Sequence, residues 1–271
     1  ISSFKDLLEQ MEYKKGTLAQ GYLSKIVNQV DVVAYLEKIN EQVELIEGAI
    51  NQHINLNSGQ VEYHLENQPL TLDQLLSKNF SPFFAIENKN LSFEWVSNTD
   101  KLFLFLEMLN RLLSQTTEKY LIVLKNIESF VSEESYDSFY NEIGRLVKKY
   151  PNLTFILFPS DQGYLKIDEK SSRFVNILSD QVEHLYDIEF MYERVKKHYP
   201  SNNFPTREGF RKSLENVTPY LLTKMVRQPS LSLVDSVILS ILNQLFQFNY
   251  RIRYSQTPDE ELLHRYLESK N

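Results

Sequence analysis

The stretch that decides the fold class runs from residue 120 to 158 and reads YLIVLKNIESFVSEESYDSFYNEIGRLVKKYPNLTFILF. It opens on the apolar run Tyr120–Leu124 and closes on Leu153–Phe158, and such runs are typical of parallel strands buried on both faces. Between them, Ser132 and the two glutamates that follow predict the start of a helix by a weak capping box. That helix should end before Pro151, since proline cannot continue a helix. Strand, helix and strand together predict a right-handed βαβ unit within an α/β layer.

Upstream, a long helix is predicted between residues 17 and 55, which contain no proline. Its apolar residues recur with a mean spacing of 3.5, the period of a coiled-coil seam. Such a helix would be on the order of 55 Å long, too long for a small compact domain. We therefore expect it to project as an arm; a long core helix in a bundle is the alternative. The seam comprises Ile26, Val30, Val33, Leu36, Ile39, Val43, Ile46, Ile50 and Ile54.

Shorter elements are expected around these two features. The pattern predicts a helix at 70–76, a strand at 91–96 and one or two strands at 173–190. Residues 231–252 repeat the heptad spacing and need a partner helix, within the chain or in a second subunit. The apolar tract around them is interrupted by Asp, Asn, Gln and Arg, which excludes a membrane span. A further helix at 99–115 carries one apolar face, formed by Leu102, Phe105, Leu106, Leu109 and Leu113.

Composition sets outer limits on function. The chain has 271 residues, no cysteine and a formal net charge of −7. The missing cysteines exclude a disulfide scaffold, a thiolate metal site and a cysteine nucleophile. The charge is uneven, because residues 190–271 carry 12 basic and 8 acidic side chains whereas residues 1–189 carry 17 and 28. Basic side chains cluster at 14–15, 145–149 and 194–212, either as solvated helix faces or as a surface for an anionic partner.

No arrangement of residues predicts catalysis. The string Gly16-Thr17-Leu18-Ala19-Gln20-Gly21 has the spacing of a phosphate-binding loop, but Tyr22 and Leu23 follow where Lys and Ser or Thr belong. The strand at 120–124 runs into Lys125 and Asn126, where an acidic residue should hold magnesium. The five histidines have no metal-binding spacing, and no nucleophile motif is present. The sequence therefore predicts a protein that is not an enzyme.

Three segments resemble the Csn2 proteins of type II-A CRISPR systems. They read VELIEGAINQHINLNSGQVEYHLENQPLTLDQLLSK, NKNLSFEWVSNTDKLFLFLEMLNRLLSQTTEKYLIVLKNIESFVSEESYDSFYNEI and PNLTFILFPSDQGYL. The resemblance covers about residues 20–190 and is closest over 99–165. It implies a helical leg at 1–85, an α/β head at 86–190 that is similar to an inactive P-loop NTPase, and a C-terminal helical extension at 191–271. Compared with the family, the start lacks the first strand and the loop after it.

The resemblance also implies a function. Such proteins act without catalysis in spacer acquisition, the adaptation step of antiviral defence in the bacterial cytoplasm. Four subunits form a ring that encircles double-stranded DNA and loads from free ends, together with other adaptation proteins and the RNA-guided nuclease. A ring needs locally positive lining rather than a basic protein, because phosphate contacts add up over subunits. The candidate DNA-binding residues are Lys14, Lys15, Lys25, Lys148, Lys149, Arg194, Lys196, Lys197, Arg211 and Lys212.

Family members also bind calcium with acidic residues near the junction of head and leg. The matching region here is rich in Gln and Asn, and its acidic residues are Glu62, Glu66 and Asp73. Calcium takes about six to eight oxygens, several of them charged, so these three are weak candidates. Two other functions stay open: a P-loop-like ATPase of the same pathway whose motif precedes Ile1, and a coiled-coil scaffold for other adaptation proteins.

Overall fold

The computed structural model describes residues 1–86, 89–159, 163–179, 181–227, 231–249, 251–253 and 261–269. The chain folds as two compact units, Ile1–Phe158 and Pro159–Asn271. The predicted head segment, 86–190, has residues in both units, and the three predicted segments remain a prediction. Among the described residues, no helix is both long and apolar enough to cross a membrane.

The first unit combines helices with one small parallel sheet and two short hairpins. Its helices are α1 (Phe4–Met11), α2 (Leu18–Ile26), α3 (Val30–His53), α4 (Leu72–Asn79), α5 (Asn98–Leu113) and α6 (Glu133–Lys149). Its strands are β1 (Asn57–Ser58), β2 (Val61–Glu62), β3 (Phe84–Ile86), β4 (Lys89–Leu91), β5 (Tyr120–Lys125) and β6 (Leu153–Phe158). The pairs β1–β2 and β3–β4 are antiparallel hairpins, whereas β5 and β6 are parallel.

The predicted strand–helix–strand unit is confirmed in β5, α6 and β6. Tyr120 lies opposite Leu153, and the register continues to Lys125 opposite Phe158. α6 ends at Lys149, two residues before Pro151. The capping box was wrong, because the Ser132 hydroxyl bonds to the Ser135 hydroxyl and caps no backbone N–H. On the edge of β5 away from β6, the backbone of Ile1 bonds to Val123 and Lys125 in the pattern of a parallel pair.

The core of the first unit centres on α5. All five residues of its predicted apolar face are buried. This face packs against α1, α2 and α6, and burying one such side chain stabilises the fold by about 1.5–3 kcal/mol. The strand predicted at 91–96 was wrong: Phe93–Trp95 form a turn of 3-10 helix that leads into the Ser97 cap of α5. The helix predicted at 70–76 is α4, which begins two residues later with a capping box of Thr71 and Gln74.

The long helix is interrupted, so its predicted length was wrong. α2 ends at Ile26 and α3 begins at Val30, which leaves 24 residues in α3, about 36 Å. The Asn28 side chain donates to the Ser24 carbonyl, and a side chain that bonds to a nearby backbone group competes with the helix. No residue of α3 is buried.

An extended segment, Leu65–Leu70, runs back along α3. The Asn51 side chain bonds to both backbone groups of Leu65, with Oδ1 accepting at 2.8 Å and Nδ2 donating at 2.8 Å. Asn40 does the same at Leu70, at 2.8 and 3.1 Å. Between them, Glu47 accepts from the Asn67 N–H at 3.0 Å. The helix side chains therefore take the place of a neighbouring strand for this segment.

The second unit is mainly helical. It contains β7 (Asn176–Leu178), β8 (Val182–His184), α7 (Ile188–His198), α8 (Arg207–Val217), β9 (Met225–Arg227), α9 (Leu233–Leu245), β10 (Arg251–Arg253) and α10 (Glu261–Glu268). β7 and β8 are antiparallel, which confirms short strands at 173–190, and β9 and β10 are parallel.

The centre of the second unit is α9. Residues 235–243 are all buried, so this helix is enclosed on every side rather than along one seam. Its neighbours are α7, α8 and α10, which confirms partner helices within the chain. The helix ends earlier than the predicted 252, because Phe246 caps it and Gln247 takes a left-handed conformation at φ 56°.

Candidate nucleic-acid interface

The first basic cluster lies in the turn between α1 and α2. Lys14 and Lys15 are exposed, and Gly16 turns the chain with φ 83°. The Thr17 hydroxyl then accepts from the Gln20 N–H and caps α2. Lys14 forms an ion pair with Glu12, and this hydrogen bond raises the pKa of Lys14. The Gly16–Gly21 string is therefore a helix start rather than a phosphate loop, and Gly21 lies within α2.

Lys25 and the α6 lysines are the remaining candidates in the first unit. Lys25 occupies the last turn of α2, where a cation is favoured by the helix dipole. Lys148 and Lys149 occupy the last turn of α6 and are exposed. Lys149 donates to Asn110 Oδ1 at 3.1 Å, and its ammonium lies 4.8 Å from the centre of the Tyr150 ring. These contacts hold Lys149 in place without neutralising it.

The other five candidates lie on α7 and α8. Arg194, Lys196 and Lys197 are exposed on α7. On α8, Arg211 donates to Glu208 at 2.7 and 3.2 Å, which raises the pKa of Arg211 and lowers that of Glu208, whereas Lys212 is exposed. The ten candidates are thus divided evenly between the two units.

Arginines and lysines differ in how they are used. In the described part of the chain, Arg111, Arg145, Arg207 and Arg211 each form an ion pair with a glutamate. Lys14 does too, whereas the other seven candidate lysines form no ion pair among the described residues: Lys15, Lys25, Lys148, Lys149, Lys196, Lys197 and Lys212. An exposed lysine is a hydrated point charge, whereas arginine presents a planar fork that suits bidentate contacts. The cations available to an external anion are therefore chiefly lysines.

One cation that a charge count includes is buried. Lys101 on α5 is 5% exposed and lies between the rings of Phe4 and Phe93, at 4.8 and 4.7 Å from their centres. Its ammonium donates to Asn98 Oδ1 at 3.3 Å, and burial lowers its pKa. Lys101 anchors α1 to the core and is not part of an interface. Only its packing against Phe4 of α1 and Phe93 of the 3-10 turn distinguishes it from an exposed lysine, so the sequence gives no signal for it.

The three acidic candidates for calcium are not brought together. Glu62 pairs with His64 at 3.3 Å, and Asp73 accepts from the buried Tyr13 hydroxyl. Glu66 is exposed on the extended segment. Across the ranges that the structure describes, no group of three or more His, Asp or Glu side chains could hold a metal ion. Asn40 and Asn51 on the preceding helix α3 bind backbone groups. The three acidic residues therefore do not fit a calcium site.

Comparisons with known proteins agree with this architecture. A family model described as CRISPR-associated protein Csn2 subfamily St matches residues 1–268. The crystal structure of Stu0660 of Streptococcus thermophilus is similar with a TM-score of 0.84 and 85% sequence identity, over 98% of this chain and 77% of that one. A search of curated proteins gives no match. The class defined by these findings is that of CRISPR-associated proteins. Within that class, the chain belongs to the Csn2 family, subfamily St.

Proposed function

We propose that this chain is a non-catalytic, double-stranded DNA-binding protein of spacer acquisition in a type II-A CRISPR system of the bacterial cytoplasm. In this proposal, four copies form a ring that encircles linear DNA and engages its free ends. The observation that carries the proposal is the set of exposed candidate lysines without a carboxylate partner, on a chain of the Csn2 family. The other adaptation proteins and the RNA-guided nuclease are the proposed partners.

The division between arginine and lysine supports binding without sequence preference. Contacts from arginine or lysine to guanine are the commonest specific contacts in the major groove. Of the two side chains, arginine has the planar fork that suits bidentate hydrogen bonds. In the described residues four arginines are engaged with glutamates. Lysines contact phosphates, which fix position but carry no sequence information. The available cations therefore favour a grip on the backbone.

The exposed side of α3 supports self-association. Ile26 before it and Val30, Val33, Ile39, Ile46 and Ile50 within it are all exposed, with Val30 at 86%. Large apolar side chains exposed along one helix are typical of an interaction surface. Four subunits would multiply a few lysines into a multivalent grip, so a chain with net charge −7 could still bind DNA tightly.

Two alternatives make different predictions. In our proposal the head is an inactive P-loop-like fold. A P-loop-like ATPase, in contrast, would hydrolyse nucleotide. The segment after Gly16 begins helix α2 and forms no phosphate loop. The residue that follows β5 is Asn126, in a left-handed conformation, where a magnesium carboxylate would be needed. A scaffold without its own DNA contact would show no steep loss of DNA affinity with salt.

The test compares linear and covalently closed circular duplexes of the same sequence in a gel shift with the full chain. Encirclement predicts a stable complex on the linear DNA and little on the closed circle. Equal affinity for the linear and the closed circular DNA would refute the ring model. Reversing Lys196 and Lys197 to Glu, or Lys14 and Lys15 to Glu, should weaken binding. The matched control reverses Lys78 and Lys89, two exposed lysines outside the candidate set; an equal loss there would mean that only net charge matters.

A further inference from the structure

The second unit presents aromatic rings beside exposed cations on one face of α7. Phe190, Arg194 and Lys197 share this face by helical spacing, and Phe190 is 41% exposed. The Arg194 guanidinium lies 5.4 Å from the centre of the Phe190 ring. Tyr186, just before the helix, is 40% exposed and meets the Phe190 ring at 5.5 Å in an edge contact. Two exposed rings and two cations are therefore contiguous.

The Tyr186 ring is held in position by the core of the second unit. Tyr186 stacks on Phe246 at 4.9 Å with an angle of 13° between the ring planes, and Phe246 is buried at the end of α9. Because one face of the Tyr186 ring is covered in this way, its exposed part lies on the other side. A ring that is stacked on the core loses little conformational entropy when a ligand stacks on it.

The carboxylates nearby are already engaged. An open depression on α7 is lined by Asp187, Glu189 and Glu193 as well as by Phe190 and the three α7 cations. Asp187 caps the helix by accepting from the Phe190 N–H at 3.1 Å. Glu189 binds Arg207, which also lies 3.7 Å from Glu193. Arg194, Lys196 and Lys197 form no ion pair in the described ranges, so the local surface favours an anion.

We infer that Tyr186, Phe190, Arg194 and Lys197 form a binding site for an unpaired base and its adjacent phosphates in single-stranded nucleic acid. Aromatic side chains bind single strands by stacking on bases, with Lys and Arg tracking the backbone. In a duplex the bases are stacked on each other and offer no free face to these rings. The site shares Arg194 and Lys197 with the duplex grip proposed above, whereas its two rings serve an unpaired base alone.

The test measures binding of a labelled oligothymidylate of about 12 nucleotides to the full chain by fluorescence anisotropy. Phe190→Leu removes the aromatic face and keeps an apolar side chain of similar size. It should weaken binding about fivefold or more, the loss of one stacked base. Phe190→Trp should bind as well as the unmodified chain or better. Affinity for a blunt duplex should change less than about twofold in both variants.

Phe174 provides the matched control. It is exposed, and the Arg173 guanidinium lies 4.8 Å from its ring centre, but no second ring packs against it in the described part of the chain. Phe174→Leu should leave oligothymidylate binding unchanged. No binding by the unmodified chain, an unchanged affinity in Phe190→Leu, or an equal loss in Phe174→Leu would each overturn the inference. Failure of duplex binding would leave it standing, since the two affinities are measured separately.

Discussion

Replacing Asn40 with Ala should release one end of the extended segment Leu65–Leu70 from α3 while leaving the helix intact. The Asn40 side chain makes two hydrogen bonds to Leu70, at 2.8 and 3.1 Å, and both are lost in the variant. Each is worth about 0.5–1.5 kcal/mol net, so the pair contributes about 1–3 kcal/mol to holding this end down. Alanine has a higher helix propensity than asparagine, so α3 itself should not weaken.

Amide hydrogen exchange at Leu70 measures this release directly, because its N–H donates to the Asn40 oxygen. A loss of 1–3 kcal/mol corresponds to an increase of about 5- to 150-fold in the opening constant. Asn51→Ala should produce the same acceleration at Leu65. Asn40→Asp retains the acceptor and loses the donor, so the Leu70 N–H should stay protected in that variant.

Gln42 is the control for these variants. It lies on the exposed side of α3 and makes no side-chain hydrogen bond within the described residues. Gln42→Ala should leave exchange at Leu65 and Leu70 unchanged. The reasoning is refuted if Asn40→Ala changes exchange at Leu70 by less than about twofold, since two lost hydrogen bonds predict more than that.

Three further outcomes are expected. The pKa of Tyr13 is raised to about 12 by burial and by its bond to Asp73, so its contribution to stability is complete below pH 10 and lost as the pH rises through 12. In Tyr13→Phe, the free energy of unfolding measured in urea should therefore change less with pH between 10 and 12, and an unchanged pH dependence would contradict this. The added methyl of Gly144→Ala meets open space in α6, so this variant should raise the free energy of unfolding by about 0.5–1 kcal/mol. Gly21→Ala should raise the free energy of unfolding less, because its methyl lies 3.2 Å from a leucine of α5, and an equal increase in both variants would be evidence against that contact. Asn243→Ala should lower the free energy of unfolding, measured by thermal denaturation, by about 1–3 kcal/mol, because the buried Asn243 Oδ1 accepts from the Leu222 N–H at 3.0 Å. An unchanged free energy would mean that the Leu222 N–H finds another partner.

The parts of the fold that the sequence predicts well are those with short-range causes. β5, α6 and β6 follow from two apolar runs and one proline, and the buried face of α5 follows from spacing alone. The break between α2 and α3 was missed because neither proline nor glycine marks it. It depends on the Asn28 side chain reaching the Ser24 carbonyl, and asparagine lies in many helices without ending them.

In the candidate site, the pairing of charged side chains is also predictable from the sequence only when its cause is short-range. Glu208 and Arg211 are three residues apart on one helix, so their pairing could be read from the sequence. Arg207 and Glu189 are 18 residues apart on different helices, and Lys101 is enclosed by rings from two other elements. A count of basic residues includes all of them equally. Only the packing separates a cation that is available to an anion from one that already serves the fold.

The seam on α3 carries this reasoning furthest, because one periodic pattern serves two faces. Leu36, Val43 and Ile54 are half-buried, together with Asn40, Glu47 and Asn51, which bind the extended segment. The other seam residues stay exposed. A hydrophobic spacing of 3.5 residues indicates that a helix has a partner, but it does not indicate whether that partner is in the same chain. Here the polar positions hold a segment of the same chain, because asparagine can satisfy both backbone groups of an extended residue. The purely apolar positions offer no hydrogen bonds to such a segment, so a second apolar helix is the partner that their chemistry suits.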